Sequence, residues 1–382
     1  MKTKNNIFKS ISIIIIIFFL IEFCSYLIIS SKIGSSYFQV FKGIKEFTEN
    51  DLNEYLAKRD KINGWPIKSD NSLFNQYTKG GYRISSNNSL FSENCISLYG
   101  NSFTFGSDVK HDEAWSSLLA NKLNCSVYNF GVPAYGVDQA VLRFKENSNF
   151  NSKLVVLGIH PIDIQRNVTQ NYTLIADNKI DIFTFKPKFI INENKLELIK
   201  IPINSLNDGN LFKQNFKSFL KHDELIHKYN KKLVEFKFPF SIAFLKAGFI
   251  FFEKKRGSIS RTGILSDTLP FWLREKESLK LNSKIIEYFF SICDENKRFC
   301  KVLIIPDYTS LNYFFTDEKN INRQIYENES WKNNVWDPTI WLSNKMSNNT
   351  CSYIGINKDC NGHYNIEGNK LLANYLFEKI NN

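Results

Sequence analysis

The sequence has no internal repeat and no metal-binding pattern. Self-similarity at a fixed period would indicate a solenoid or a propeller, and none is present. Seven cysteines and five histidines occur among 382 residues, and their spacing resembles no zinc site. Disorder and low complexity are also excluded, because 43% of the residues are hydrophobic and 15% aromatic. The sequence therefore predicts a folded chain that needs no metal or organic cofactor.

The N-terminal segment lacks a signal-peptide cleavage site. Three lysines, at positions 2, 4 and 9, precede an apolar run from Ile11 to about Ser30, which at ~1.5 Å per residue is long enough to cross a bilayer as a helix. A cleaved signal peptide, the alternative, has a shorter apolar core followed by small residues of the A-x-A type. We predict an uncleaved anchor over residues 1–31, with a cytoplasmic N-terminus and the rest of the chain in the periplasm or on the cell surface.

Two residues inside this run, Glu22 and Cys24, bear on its role. Glu22 places a carboxylate in lipid, at a cost of order a few kcal/mol. Cys24 follows Ile-Glu-Phe, which is a poor approach to a lipidated cysteine, so a lipoprotein is not expected. Neither residue changes the prediction of a membrane anchor.

Six further cysteines lie in the part of the chain predicted to be exported. An even number of cysteines in such a domain indicates disulfides, and six buried thiols are the alternative. Two pairs would each close a short loop, and a third pair would join the starts of two strands that are neighbours in a parallel sheet. These pairs are Cys293–Cys300, Cys351–Cys360 and Cys95–Cys125, in that order.

Positive charge is concentrated in one aromatic segment. The chain carries a net charge of +11, and residues 211–256 hold eleven Lys and Arg against four Asp and Glu, a balance of +7. A basic segment rich in phenylalanine could lie on an anionic membrane surface. We prefer the simpler interpretation, a solvated helical insertion with its apolar face on the core. Nucleic-acid binding is not expected of an exported chain without a binding motif.

Strands and helices alternate from Asn94 onward. This pattern, with buried apolar strands, predicts an α/β domain whose parallel sheet is covered on both faces. The alternation stops after Asn167 for about a hundred residues, where Asn192-Glu-Asn-Lys195 suggests a hairpin, and then resumes. Strands are predicted over 95–99, 126–130, 154–159 and 301–306, and helices over 113–123, 138–145, 275–291 and 366–380, the last capped by Asn365.

These patterns divide the chain into five parts. They are the anchor 1–31, a juxtamembrane lead-in 32–93, the first half of the α/β domain 94–180, an insertion 181–270 with the hairpin and the basic segment, and the second half 271–382.

The turn around Ser102 carries the strongest chemical signal. In Leu98-Tyr-Gly-Asn-Ser-Phe-Thr-Phe-Gly106 a short apolar strand ends in a tight turn before a helix, which is how α/β enzymes present a nucleophilic serine. The loop Gly131-Val-Pro-Ala-Tyr-Gly136 follows the next strand, at the edge where α/β folds bind ligands. Of the five histidines, His363 is placed best to act as a base, directly before the last helix. Asp307, just after a late strand, could face the cleft, but we prefer to interpret it as a solvated loop residue.

Four segments together resemble the conserved blocks of the SGNH (GDSL-type) hydrolases. They are Gly100-Asn-Ser-Phe-Thr-Phe-Gly106, Asn129-Phe-Gly-Val-Pro-Ala-Tyr-Gly136, Gly158-Ile-His-Pro-Ile-Asp-Ile164 and residues 359–368, within the regions 94–170 and 280–382. The resemblance implies a flavodoxin-like three-layer α/β/α fold and ester hydrolysis or acyl transfer, often on glycans. By position it implies Ser102 as nucleophile and His363 as general base. Asp359 would be the acid partner, and Ser102, Gly131 and Asp163 would form the oxyanion hole.

Three positions depart from the family's pattern. Asn101 stands where the family has aspartate, in a role that supports the turn. Asp163 stands nearest the position of an asparagine amide, and an ionised carboxylate there would oppose a developing oxyanion unless it is protonated or turned away. The acid is usually three residues before the histidine, but that residue is Cys360, so Asp359 or Asn361 would orient the imidazole.

These features predict an esterase or O-acyltransferase outside the cytoplasm, acting on an acylated carbohydrate or another polar ester through an acyl-enzyme on Ser102. The alternative is a catalytically impaired relative that keeps the cleft for glycan binding or envelope assembly, which Asp163 and the displaced acid favour. A third hypothesis is a structural protein that contacts the membrane surface through residues 211–256.

Overall fold

The structure, a computed structural model, is described for most of the chain. The described residues are 2–31, 40–41, 43–65, 77–78, 80–83, 94–176, 179–228, 234–249, 252, 273, 275–317, 319–347, 349–358, 360 and 362–381. The predicted lead-in 32–93 and insertion 181–270 therefore lie partly outside the described residues.

Helices and strands alternate through both halves of the α/β domain. The chain begins with α1 (Lys2–Ser30), β1 (Val40–Phe41) and α2 (Glu49–Lys58). The first half contains β2 (Asn94–Tyr99), α3 (Ser102–Phe105), α4 (Trp115–Leu123), β3 (Ser126–Asn129), α5 (Val137–Glu146), β4 (Leu154–Ile159), α6 (Asp163–Asn167) and α7 (Thr173–Ala176). There follow β5 (Lys188–Asn192), β6 (Lys195–Ile199), α8 (Leu206–Asn215), α9 (Glu224–His227), β7 (Val234–Glu235) and α10 (Phe240–Phe249). The second half contains α11 (Glu277–Glu295), β8 (Phe299–Ile304), α12 (Tyr308–Asp317), β9 (Val335–Trp336), α13 (Thr339–Met346) and α14 (Ile366–Asn381).

The central sheet has five parallel strands in the order β3-β2-β4-β8-β9. Numbered along the chain, these strands follow the order 2-1-3-4-5 of flavodoxin-like doubly wound sheets. The order reverses between β2 and β4, whose residues Leu98 and Val156 are register partners. Ligands of such sheets bind beyond the carboxyl ends of the strands at this reversal, so the loops after Tyr99 and Ile159 lie where a site is expected.

Both faces of the sheet are covered, as the sequence predicts. Successive residues of β2 point to opposite faces because side chains alternate along a strand. Leu98 belongs to an apolar cluster with α4 and α14, and Tyr99 to the cluster with α5 and α11. The central strand β4 is buried along its whole length. The result is a three-layer α/β/α domain.

Element boundaries lie within four residues of the predicted ones, and β4 has the predicted bounds, Leu154–Ile159. Helix α4 begins at Trp115, and β8 runs over Phe299–Ile304. The predicted cap of α14 is confirmed, because Asn365 Oδ1 accepts the amides of Glu367 and Gly368. Strand β9 and helices α12 and α13 lack a clear pattern in the sequence and were not predicted.

The structure joins the six cysteines of the α/β domain in the three pairs suggested by the sequence. Cys95–Cys125 links the starts of two neighbouring strands, and its Cα atoms lie 5.9 Å apart. Cys293–Cys300 and Cys351–Cys360 close loops with sequence separations of 7 and 9. Cys24, in α1, is exposed. Structural disulfides of this kind are typical of exported domains.

The described part of the insertion packs in two places. Strands β5 and β6 form the predicted hairpin, and Glu193 and Asn194 at its turn have positive φ angles of 46° and 64°, as a two-residue hairpin turn requires. Phe212 and Leu220 are buried in the same core as the sheet, so this part of the basic segment has its apolar face on the core. Helix α10 instead packs against α1.

Candidate active site

The turn around Ser102 is compressed between two strand ends. Ser102 is the first residue of α3 and only 6% exposed. A Cβ at Gly100 would lie 2.1 Å from the Thr104 hydroxyl, and one at Gly158 would lie 2.2 Å from the same oxygen. Both positions therefore require glycine, because Thr104 fills the space between β2 and β4. This packing fixes Ser102 at the carboxyl edge of the sheet.

Asn101 connects this turn to β4 and α6. Its side-chain oxygen accepts the amide of Phe103 at 2.8 Å. Its Nδ2 donates to both carboxylate oxygens of Asp163, at 2.8 and 3.0 Å. Asn101 thus supports the turn, as its position in the sequence suggests.

Asp163 is an acceptor at the centre of a buried network. Besides Asn101, its oxygens accept the His160 amide at 3.0 Å and Arg166 Nη1 at 2.9 Å. Burial raises the pKa of Asp163 to about 6, opposed by the Arg166 charge. Asp163 was expected to line an oxyanion hole. In the structure both of its oxygens accept hydrogen bonds from neighbouring groups, and the bonds from Asn101 Nδ2 make Asp163 the residue that orients Asn101.

His363 forms a hydrogen-bonded pair with an acid that the sequence did not indicate. The Nδ1 atom of His363 lies 2.7 Å from Oδ2 of Asp108, and the backbone amide of His363 donates to the same oxygen at 3.4 Å. Asp108 has a positive φ of 70°, a conformation that aspartate adopts more readily than most residues. The expected partner Asp359 and its alternative Asn361 lie outside the described residues.

A buried arginine holds the loop that carries Asp108. Arg83 is 3% exposed, and its guanidinium donates to the carbonyl oxygens of Phe105, Gly106 and Val109. Desolvation lowers the pKa of Arg83 to about 10, so it stays charged at neutral pH. These three bonds define the course of the chain around Asp108.

His160 is a buried histidine beside the turn around Ser102. Its Nδ1 accepts the amide of Ile162 at 3.3 Å, so the proton of the neutral ring is on Nε2. Burial lowers the pKa of His160 well below its ordinary value, and the charges of Arg166 and His363 act in the same direction. The Nε2 atom is buried, and within the described part of the chain it has no hydrogen-bond partner. Its nearest acidic atom is Oδ2 of Asp307, at 4.0 Å.

The ring of Phe103 contacts both imidazoles. Its ring stacks on His160 with centroids 4.0 Å apart and contacts the His363 ring at 4.8 Å. Because Phe103 directly follows Ser102, both histidines lie around the same turn. Sequence reasoning did not select His160, although it ends a buried strand in the Gly158 block, which is the signal that could have found it.

Asp307 is a half-buried residue at this edge and not a solvated one. Its side chain is 28% exposed, and Oδ1 accepts the amide of Ser310 at 2.7 Å. Burial raises the pKa of Asp307. Its carboxylate lies 4.0 Å from His160 Nε2, so the structure favours the alternative, a residue that faces the cleft, over a solvated loop residue.

Gly131 is held tightly against α3. A Cβ at Gly131 would lie 2.6 Å from the Phe105 amide nitrogen. The Gly131 amide donates to Asn129 Oδ1 at 3.0 Å, and Asn129 Nδ2 donates to the Thr104 carbonyl at 2.8 Å. In the structure this N–H already has an acceptor within the loop. The expected contribution of the Gly131 amide to an oxyanion hole stays a prediction.

The other three histidines lie apart from this arrangement. His111 Nδ1 is 3.5 Å from Arg83 Nε, and His222 and His227 belong to the insertion. Among the described residues, no group of three or more His, Cys, Asp and Glu side chains could hold a metal ion.

The chain was compared with family models, with curated proteins and with solved structures, and only the last comparison gives a match. No protein-family model matches the sequence, and no curated protein matches it. The chain is similar to a solved structure from Desulfitobacterium hafniense DCB-2 that is described as a lipolytic protein of the G-D-S-L family. The TM-score is 0.29 and the identity 10%, over 75% of this chain and 99% of that chain. A similarity this weak does not establish the function of the chain.

Proposed function

We propose that this chain is a membrane-anchored serine esterase or O-acyltransferase that acts outside the cytoplasm on an acylated carbohydrate or another polar ester. The observation that carries the proposal is the His363–Asp108 pair, which lies against the residue directly after Ser102. A nucleophilic serine needs a histidine to take its proton and a third group to orient that histidine. The three residues supply these parts from one edge of the sheet.

The reaction begins with the proton on Ser102. Asp108 accepts the Nδ1 proton of His363, which leaves Nε2 to accept the Ser102 hydroxyl proton. The serine oxygen bonds to the acyl carbon, and the carbonyl oxygen becomes an oxyanion. His363 then gives its proton to the leaving alcohol as the ester bond breaks. Water or a sugar hydroxyl resolves the acyl-enzyme by the same steps in reverse.

Two donors would stabilise the oxyanion. The Ser102 amide lies at the start of α3, where the first N–H groups of a helix have no partner within the helix. The Nε2–H of His160 is a neutral, buried donor without an acceptor among the described residues, and an unpaired buried donor costs about 1–3 kcal/mol. A substrate oxygen at this position would satisfy it. The proposal thus gives His160 the role that the sequence had suggested for Asp163.

The two features that favoured a non-catalytic binding protein are compatible with catalysis in this arrangement. Asp163 supports Asn101, so its carboxylate need not face the oxyanion. Asp108 supplies a carboxylate to His363 irrespective of Asp359. A site used only to bind a glycan would have no need for this pairing.

Labelling with a fluorophosphonate tests the proposal. The full-length chain in detergent is compared with Ser102→Ala, His363→Ala and the control Ser107→Ala, which removes a nearby hydroxyl from the same turn. We expect labelling and hydrolysis of a short-chain aryl acetate in the wild type and the control, and loss of both in the other two. Wild-type protein that neither labels at Ser102 nor hydrolyses the ester would refute it.

A further inference from the structure

Glu22 is a buried carboxylate in a largely exposed helix. Helix α1 contains a 22-residue apolar span, Lys9–Ser30, in which Glu22 is only 4% exposed and lies on the same side as the buried residues Ser25 and Ile29. Its oxygens accept the amide of Phe240, the amide of Ser241 and the Ser241 hydroxyl. The carboxylate therefore caps the N-terminus of α10, where a negative charge is favourable.

Small residues allow α10 to approach α1 closely. Ala243 and Ala247, one turn apart, are buried in a cluster with Ile29. Small residues four apart are the usual means by which membrane helices pack. Aromatic contacts extend the interface, with ring centroids of Tyr26 and Phe240 at 5.1 Å.

The residues directly before α10 contact α1 far from its C-terminal end. The ring of Phe238 lies 6.2 Å from that of Phe18. At ~1.5 Å per residue, Phe18 is about 17 Å and Glu22 about 10 Å from Ile29 along the helix. The hydrocarbon core of a bilayer is about 30 Å thick. If α1 crosses a membrane, Phe238 therefore reaches about the middle of it, and α10 returns toward the surface.

Several backbone amides of this bend have acceptors within the protein. Pro239 has no N–H, and the amides of Phe240 and Ser241 donate to Glu22. The amide of Ile242 donates to the Pro239 carbonyl at 3.2 Å, and that of Lys237 to the Glu235 carbonyl at 3.1 Å. Non-helical backbone survives at membrane depth only when its polar groups have such partners.

Large apolar side chains are exposed on α10 and on the bend that precedes it. Phe238, Leu245 and Phe249 are 56%, 59% and 70% exposed, an arrangement that is unfavourable in water. Lys237 Nζ pairs with Glu235 at 2.6 Å, back along the chain. Lys246 lies beyond the midpoint of α10, where a long side chain can reach the interface.

We propose that residues 236–249 form a re-entrant hairpin in the outer leaflet, with Glu22 as its anchor and lipid acyl chains as the occupants of its exposed face. The proposal requires α1 to span the membrane but is independent of any chemistry at Ser102. It also explains why the anchor contains a carboxylate, because Glu22 accepts the hydrogen bonds at the N-terminus of α10.

Depth-dependent quenching in vesicles tests the hairpin. The full chain, with Cys24 changed to serine, carries a single environment-sensitive dye at Phe238→Cys, Leu245→Cys or Phe249→Cys. Ile356→Cys, at a 70% exposed position in the α/β domain, is the aqueous control. We expect deep doxyl-lipid quenching at position 238, shallower quenching at 249, and iodide quenching only at 356.

Native Cys24 separates failure of the anchor from failure of the hairpin. Labelled alone, Cys24 reports whether α1 lies in lipid. Lipid quenching at Cys24 with iodide quenching at 238, 245 and 249 would overturn the proposal, and iodide quenching at Cys24 would overturn its premise. Glu22→Leu, which removes the cap, should expose position 245 to iodide, whereas Glu22→Gln, which keeps an acceptor, should expose it less. Equal exposure in both variants would contradict the role of Glu22.

Discussion

The Nδ1 atom of His363 lies 2.7 Å from Oδ2 of Asp108, a residue 255 positions earlier in the chain. Asp108 follows Ser102 on the same loop, so one turn would supply both nucleophile and acid, and the last loop would supply the base. The proposed catalytic groups thus come from both halves of the α/β domain.

Replacing Asp108 should impair catalysis without unfolding the chain. Asp108→Asn keeps a residue that tolerates a positive φ but removes the charge that stabilises a protonated His363. We expect kcat to fall about 10²–10⁴-fold, measured with an aryl acetate, while the melting temperature changes little. Asp359→Asn is the matched comparison, and a larger loss of kcat in that variant would show that Asp359 is the acid.

Removing the His160 donor should affect kcat more than KM. His160→Phe retains an aromatic ring to stack on Phe103 but lacks the Nε2–H. Loss of one oxyanion donor costs about 10²–10³ in kcat, and His160→Gln, which restores an N–H, should recover part of it. Steady-state kinetics on the three proteins provide the measurement. Unchanged kcat in His160→Phe would exclude the proposed role.

The buried carboxyl of Asp163 should make stability depend on pH. Burial raises its pKa from the ordinary value of 3.8 to about 6 in the folded state, so between these values the folded chain binds the proton more than the unfolded chain. Stability contributed by this group is present at low pH and is lost as pH rises through that window. Relative to Asp163→Asn, the wild type should therefore lose melting temperature from pH 4 to about pH 6 and lose no more above it. The prediction would be contradicted if the melting temperature of the wild type minus that of Asp163→Asn stayed constant or rose across this pH range.

The two short disulfide loops should have similar effects on stability and different effects on activity. Chain entropy predicts about 2–3 kcal/mol for each, since the loops differ little in length. Only Cys351–Cys360 closes the loop directly before His363. Serine pairs at 351/360 and at 293/300 should thus show comparable melting temperatures, with a clear loss of kcat in the first alone. Equal kcat in the two serine variants would mean that the Cys351–Cys360 disulfide does not position His363.

The order of the elements and the disulfides could be predicted because they depend on local patterns. Buried strands such as Leu154–Ile159 are continuous apolar runs, and Cys293 and Cys300 are close in sequence. The turn around Ser102 was recognisable for the same reason, since a strand, Gly100 and Ser102 follow one another closely in the sequence. Such signals need no knowledge of the rest of the fold.

The partners across the site could not be predicted because they depend on tertiary contacts. Asp108 meets His363 only through a left-handed turn that Arg83 holds in place. Asp163 matched a family position by spacing, but its direction is set by Asn101 and Arg166. The bonds from Phe240 to Glu22 cross 218 positions, and no local pattern indicates a contact at that separation.

The place of His363 in the chain determines when the site becomes complete. His363 lies directly before α14, and Asn369 of this helix accepts the Trp115 amide and donates to the Tyr364 carbonyl. During synthesis, Ser102 and Asp108 emerge long before the base that would activate them. If Ser102 and His363 have the roles proposed above, a chain that has not yet reached His363 would carry a serine without its base, and docking of α14 on α4 would complete the site.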